Sequence, residues 1–164
     1  MAQIERIDLL LTTGDVEGAG TDGDVYLGVA GREFFVDSDA DDFERASRRV
    51  YRFGDSAENT ADEMLNTELN DPREQRLFTE FVDDYPVYIR FVPENRTDNW
   101  NLELAVVALN SDESVLWHNL NSAPDGIWLG TRAGLVLHLP KFEEPRLSAA
   151  DRGRITKAVN EALG

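Results

Sequence analysis

The sequence predicts an all-β fold, an antiparallel sandwich of about eight strands with an inserted helix and a C-terminal helix. Three observations carry this expectation. Apolar residues alternate with period two in short runs, clusters of glycine and aspartate separate those runs, and only two stretches show the three-to-four-residue spacing of a helix. In the first strand Ile7, Leu9 and Leu11 share a face. After a glycine-rich turn Val25, Leu27 and Val29 do the same, and Arg32 to Val36 follows across Ala30-Gly31 as a hairpin partner. A short fourth strand spans Arg48 to Phe53. Tyr85 to Val92 aligns Val87, Ile89 and Phe91, and Trp100 to Leu109 aligns Trp100, Leu102, Leu104 and Val106. Ser114 to His118, Gly126 to Gly130 and Gly134 to Leu139 complete the strands, the last with Leu135, Leu137 and Leu139 on one side.

Two helices are expected. Asp71-Pro72 followed by Glu74 reads as an N-cap, a proline at the first helical position and a capping-box partner, after which Leu77, Phe78, Phe81 and Val82 form an apolar stripe ending near Asp84. Ser148, with Asp151 three residues on, caps a second helix whose Ile155, Ala158, Val159, Ala162 and Leu163 share a side. The expected organisation is a sandwich over residues 1–142, with a helical insertion at 55–84, and a C-terminal helix over 143–164 packed on it.

The chain of 164 residues fits one domain. Its 32 acids against 16 basic residues give a formal net charge of −16, which opposes direct binding to nucleic acid or to an anionic bilayer. Only Lys141 and Lys157 are lysines among the basic residues, a bias that suggests a salt-adapted, halophilic surface in which dense carboxylates hold water. The absence of cysteine excludes disulfides and thiolate chemistry, and two histidines, His118 and His138, offer little to a metal enzyme. Met1 to Asp15 contains no secretory-type apolar run, so a soluble cytoplasmic protein without a transmembrane segment is expected.

Two acidic stretches carry chemistry. In Thr13 to Asp24, glycines at 14, 18, 20 and 23 permit turns that direct carbonyls inward, and the aspartates add charge, which suits a hard cation. Phosphate cradling does not suit it: no Lys-Ser/Thr follows, the next element is a strand, and the local charge is negative. The second stretch, Asp37 to Glu44, holds four aspartates and one glutamate, without the glycine and helical flanks of an EF-hand. On composition alone, a solvated acidic loop is the simpler account of it.

Three motifs taken together resemble the PLAT domain of polycystins, lipoxygenases and alpha-toxins. They are Thr13-Gly14-Asp15 to Tyr26 with internal Gly18-Ala19-Gly20-Thr21-Asp22, then Asp41-Asp42-Phe43-Glu44-Arg45, then Asp98-Asn99-Trp100-Asn101-Leu102. The similarity runs from Ile4 to Leu109 and more loosely from Ser114 to Lys141. It implies an eight-stranded sandwich that binds calcium at its loops and docks on a protein or a lipid headgroup partner. The implied calcium ligands are Gly18, Gly20, Thr21 and Asp22 from the first loop, Asp41, Asp42 and Glu44 from the second, and Asp98 and Asn99 before the tryptophan. The resemblance reverses the preference for a merely solvated loop. Three departures stand out: Asp41 where Asn is usual, Ala46 for a common glycine, and Gly23 where some members have another acid. Arg48 and Arg49 are also placed to neutralise the second loop.

The expected function is a stand-alone calcium-binding docking module, not an enzyme. No Gly-x-Ser-x-Gly elbow and no histidine set for iron are present. The alternative is a calcium-independent interaction domain whose acids are halophilic surface. Trp117 is expected as the exposed aromatic that meets a partner, with Trp100, Trp128 and Phe43 in the core; His118 and His138 are expected to be structural or exposed.

Overall fold

A computed structural model of the chain describes residues 2–55, 64–120, 125–143 and 147–164. Its strands are β1 (Arg6–Thr13), β2 (Asp24–Val29), β3 (Arg32–Val36), β4 (Arg48–Gly54), β5 (Tyr88–Val92), β6 (Asn99–Leu109), β7 (Asp112–His118), β8 (Ile127–Gly130), β9 (Val136–His138) and β10 (Lys141–Glu143), followed by the helix α1 (Ala149–Leu163). They form two antiparallel sheets. One has the order β10-β7-β6-β1-β4 with β8 also on β6, and the other the order β3-β2-β5-β9. The described strands number ten where the sequence suggested eight. β10 is only three residues long, too short to show a period, and it forms because its backbone pairs with Val115 to Trp117 of β7.

Alternation places the core. Ile7, Leu9 and Leu11 of β1 point between the sheets and join Val25, Leu27, Phe34, Phe53, Phe91 and Trp100 in a single cluster. Each such side chain, fully withdrawn from water, contributes ~1.5–3 kcal/mol. The intervening Leu10 points outward with Leu104, Val106 and Leu116, and α1 covers part of this outer face through Ile155, Ala158, Val159 and Ala162. Ser148 caps α1 as the sequence suggests, its Oγ accepting from the Asp151 backbone N–H at 3.0 Å.

The expected helix at Asp71 to Asp84 is not formed. The Asp71 carboxylate accepts from the backbone N–H of Arg73 and from its guanidinium, and Arg76 turns to φ +52°, a left-handed conformation that a helix cannot pass through. Leu77 and Thr79 then bond to the backbone of Ile4 and Ala2, and only a 3₁₀ turn at Thr79–Asp84 remains. Residues 56–63 of the expected insertion lie outside the described residues.

Two tryptophans exchange their expected places. Trp117 is only 7% exposed, inward-facing on β7 with the Lys141 ammonium 5.8 Å from its ring centre. Trp128 is 41% exposed because Ile127 and Leu129 are the residues of β8 that face inward. Trp100 is fully buried, Phe43 is 5% exposed, and His118 is buried in a stack on Phe142 at 3.9 Å.

Candidate functional site

At one end of the sandwich β1 runs into the loop 14–23, β3 into the loop 37–47, and β5 into the loop 93–98, and all three are tied to the same strand ends. Gly14 donates to Asn101 O at 3.0 Å, Asn101 N–H to Ala19 O at 3.0 Å, and Thr13 N–H to Ser47 O at 2.9 Å. Thr21 N–H donates to Phe43 O at 3.2 Å, which binds the first loop to the second. Gly20 sits against that second loop: a Cβ there would lie 2.9 Å from Arg45 N and 3.3 Å from Phe43 O. Below the loops Trp100 donates its indole N–H to Thr13 Oγ1 at 2.9 Å and packs on Phe43.

This frame sets the acids. Asp22, Asp41 and Glu44, all exposed, bring one carboxylate oxygen each within 4.8 Å of the others. Three carboxylates that close repel one another in water, and they are hard donors of the kind that divalent cations of the calcium type prefer. Their donor set fits such a cation. Asp22 lies between two clefts, of about 170 Å³ beside Asp24, Asp37 and Asp41 and of about 320 Å³ beside Gly18, Glu44 and Asp98. In the smaller cleft burial, followed by the charges of Asp42 and Asp24, raises the Asp37 carboxyl above the usual aspartate range.

The other residues implied by the resemblance are placed differently. Asp42 turns inward, 8% exposed at its side chain, and accepts from Ser38 N–H and Ser38 Oγ at 2.7 Å each and from Tyr51 Oη at 2.9 Å, with Arg49 at 3.7 Å. Asp98 accepts from Thr21 Oγ1 at 2.8 Å and from Glu94 N–H at 2.8 Å, so Thr21 and Asp98 together pin the first loop to the third. Asn99 donates to Thr97 O at 2.9 Å. Gly18 stands exposed at φ +74°. Of the two arginines suspected of neutralising the second loop, Arg49 approaches Asp42 while Arg48 pairs with Glu161 of α1.

The sequence departures acquire physical reasons. Gly23 has no room for an acid, since a Cβ would meet Phe91 Cε2 and Val92 O at 2.6 Å and Asp98 Oδ2 at 2.9 Å. Ala46 occupies φ +62°, the left-handed region where a glycine carries no penalty. Other apolar residues also reach this end: Val16, Val92 and Val136 are exposed on or beside the loops, and so is Leu135, which lies before the start of β9 and does not share the inward side of Leu137 and Leu139 expected of it. The pairing of β9 with β5 brings Leu135 there, through its carbonyl bond to Phe91 N–H at 2.8 Å.

Two antiparallel sheets with loops converging at one end define a class of sandwich, and comparison with solved structures places the chain within it. Alpha toxin from Clostridium absonum matches 85% of this chain at TM-score 0.53 and 18% identity, over 32% of the toxin. Alpha-toxin from an avian strain of Clostridium perfringens matches 87% at TM-score 0.50 and 17% identity, also over 32% of its length. Coral 8R-lipoxygenase, described as activated by calcium via a C2-like domain, matches 95% of this chain at TM-score 0.51 and 15% identity, over 20% of the enzyme. The chain therefore has the PLAT or C2-like sandwich fold, and spans from a fifth to a third of these proteins. No protein-family model and no curated protein matches it in sequence.

Proposed function

We propose that this chain is a calcium-dependent docking module without catalytic activity of its own. The convergence of Asp22, Asp41 and Glu44 at the loop end, within 4.8 Å of one another, carries the reading. A divalent cation held by these three would offset their repulsion and reverse the local sign of a chain whose formal charge is −16. Beside them Val16, Val92, Leu135 and Val136 supply an apolar rim able to enter a partner surface or the headgroup layer of a membrane. The likeness to the C2-like domain of a calcium-activated lipoxygenase supports the same direction. Among the described residues no helix is long and apolar enough to cross a membrane.

The placement of Asp42 and Asp98 favours one alternative. Both are engaged within the protein, which leaves three of the five implied carboxylates facing outward together. Calcium takes six to eight oxygens. A calcium-independent interaction domain follows if three carboxylates, water and backbone do not suffice.

Calorimetric titration with Ca²⁺ and with Mg²⁺, followed by sedimentation with phosphatidylserine vesicles, separates the two. Expected are saturable Ca²⁺ binding, a stabilisation against unfolding of about 2.7 kcal/mol by linkage at a hundredfold excess over Kd, and vesicle binding that EDTA reverses. A Ca²⁺ response no larger than that of Mg²⁺ sinks the calcium reading.

A further inference from the structure

On the far side of the sheet from the core, α1 does not lie flush. It leaves a groove of about 360 Å³ between its stripe Arg152, Ile155, Thr156, Val159 and Leu163 and the outward residues of β1, β4, β6 and β7. The volume falls within the range of small-molecule sites, roughly 300–1,000 Å³. Its floor is apolar, built from Leu10, Val106 and Leu116, all buried, with Val50 and Ala108 beside them.

The charges at its rim run against the rest of the molecule. Among the described residues Arg6, Arg52 and Arg152 line the groove with Asp8 as the one lining acid, in a chain where acids outnumber bases two to one. Asp8 accepts from the Nε–H of Arg6 at 2.8 Å and of Arg52 at 2.5 Å. Two guanidiniums thus share one carboxylate. All three groups are mostly withdrawn from water, with side-chain exposures of 24%, 17% and 17% for Arg6, Arg52 and Asp8. One positive charge of that triad is left without a countercharge inside it, at a place where desolvation makes an unbalanced charge unfavourable. An anion offsets it, and each guanidinium has N–H donors beyond the Nε–H given to Asp8.

We propose that this groove binds a free single-chain amphiphile with an anionic head, of the fatty carboxylate class. The head is held by Arg6, Arg52 and Arg152, and the alkyl chain lies against the partly exposed Val50, Ala108 and Val159 and the exposed Leu163, above the buried floor. The site lies on the flank of the sandwich, away from the acidic loops, and does not depend on a cation there.

The test is calorimetric titration of the full chain, in EDTA, with monomeric dodecanoate. Saturable one-to-one binding is expected, with no measurable heat for acetate, which lacks the tail, and much weaker binding of dodecanol, which lacks the charge. Arg6→Gln converts the triad into a neutral pair and weakens binding about tenfold or more, the loss of a charged hydrogen bond. Thr156→Trp, at an exposed helix position facing the groove, blocks it. Melting curves establish that both variants fold, and Arg152→Gln serves if Arg6→Gln does not. Asp41→Asn leaves dodecanoate binding unchanged. The proposal is overturned by absence of saturable binding, by equal affinity for dodecanol, by variants that fold and bind like the parent, or by association only with phosphatidylglycerol vesicles.

Discussion

Asp41 and Asp42 are neighbours in sequence with opposite surroundings, so replacing each by asparagine separates a ligand role from a structural one. Asp42 accepts three hydrogen bonds at 2.7–2.9 Å and faces Arg49. In Asp42→Asn one of the two carboxylate oxygens becomes an amide NH₂. Ser38 N–H meets that donor, or else the Ser38 and Tyr51 hydroxyls do, and the charge that strengthened the remaining bonds is gone. Leaving a buried donor unsatisfied costs about 1–3 kcal/mol, and weakening the other charge-assisted bonds adds to it, giving about 3 kcal/mol in all. For a chain of this size each kcal/mol shifts the midpoint by about 2–4 °C, so thermal unfolding in EDTA should fall by ~6–12 °C. Asp41→Asn, exposed and crowded by Asp22 and Glu44, should melt in EDTA at or slightly above the parent protein, because one repelling charge is gone, and lose the Ca²⁺ shift. An Asp42→Asn protein that melts within about 2 °C of the parent in EDTA, yet loses its Ca²⁺ response, would refute the assignment of Asp42 to the loop scaffold.

Gly23→Ala drives a methyl into Val92 O and Phe91, and urea unfolding should show a loss of about 1–3 kcal/mol. Ala46→Gly removes a left-handed strain of about 1–2 kcal/mol against an unfolded-state entropy of about 0.4–1 kcal/mol, so a slightly higher midpoint is expected by calorimetry. Asp37, whose carboxyl is raised by burial and then by Asp42 and Asp24, gives stability that is present below the ordinary aspartate pKa of 3.8 and lost as pH rises through its raised value. Asp37→Asn should therefore raise the midpoint at neutral pH, with the gain shrinking in acid. His118 is lowered below 6.5 chiefly by burial, and its Nδ1 accepts from Leu120 N–H while Nε2 has no hydrogen-bond partner among the described residues. Its contribution is present above the ordinary histidine value and is lost as pH falls through the lowered one. His118→Asn keeps an acceptor for Leu120 and should flatten the fall in midpoint between about pH 7 and pH 5.

Where side-chain direction follows from a period, the sequence alone is a good guide. The alternation of Ile7, Leu9 and Leu11 is repeated in β1, whereas the face expected of Trp100, Leu102, Leu104 and Val106 is split in β6: the register shift opposite Thr12 and Thr13 leaves Trp100 and Leu102 in the inter-sheet core and turns Leu104 and Val106 to the helix. The Ser148 cap is legible for the same reason, being a contact within one turn. Trp117 and Trp128 stand opposite to expectation because their burial depends on partners distant in sequence. β10 covers the edge of β7, while Trp128 lies on the outward side of a four-residue strand. Asp71-Pro72 has the letters of a helix start, but the competing bonds come from Arg73 and from the distant Ala2 and Ile4. In the acidic loop no period applies: Phe43 itself adopts φ +63°, reversing the chain between Asp42 and Glu44. That reversal sends one acid into the protein and the next outward, which spacing alone does not reveal.

Trp100 sits under the loop end, bonded through its indole to Thr13 at the stem of the first loop and in ring contact with Phe43 within the second and with Phe91 near the stem of the third. The contacts that hold the scaffold beneath the acids are thus made within the protein and not through an ion. Cation capture on such a scaffold would be a matter of shedding water rather than of ordering chain, with a small heat-capacity change and no slow conformational phase. With Trp117 and Trp128 replaced by phenylalanine, the same indole would act as an internal optical gauge, its emission following the seating of the loops and remaining indifferent to events under the helix on the opposite face.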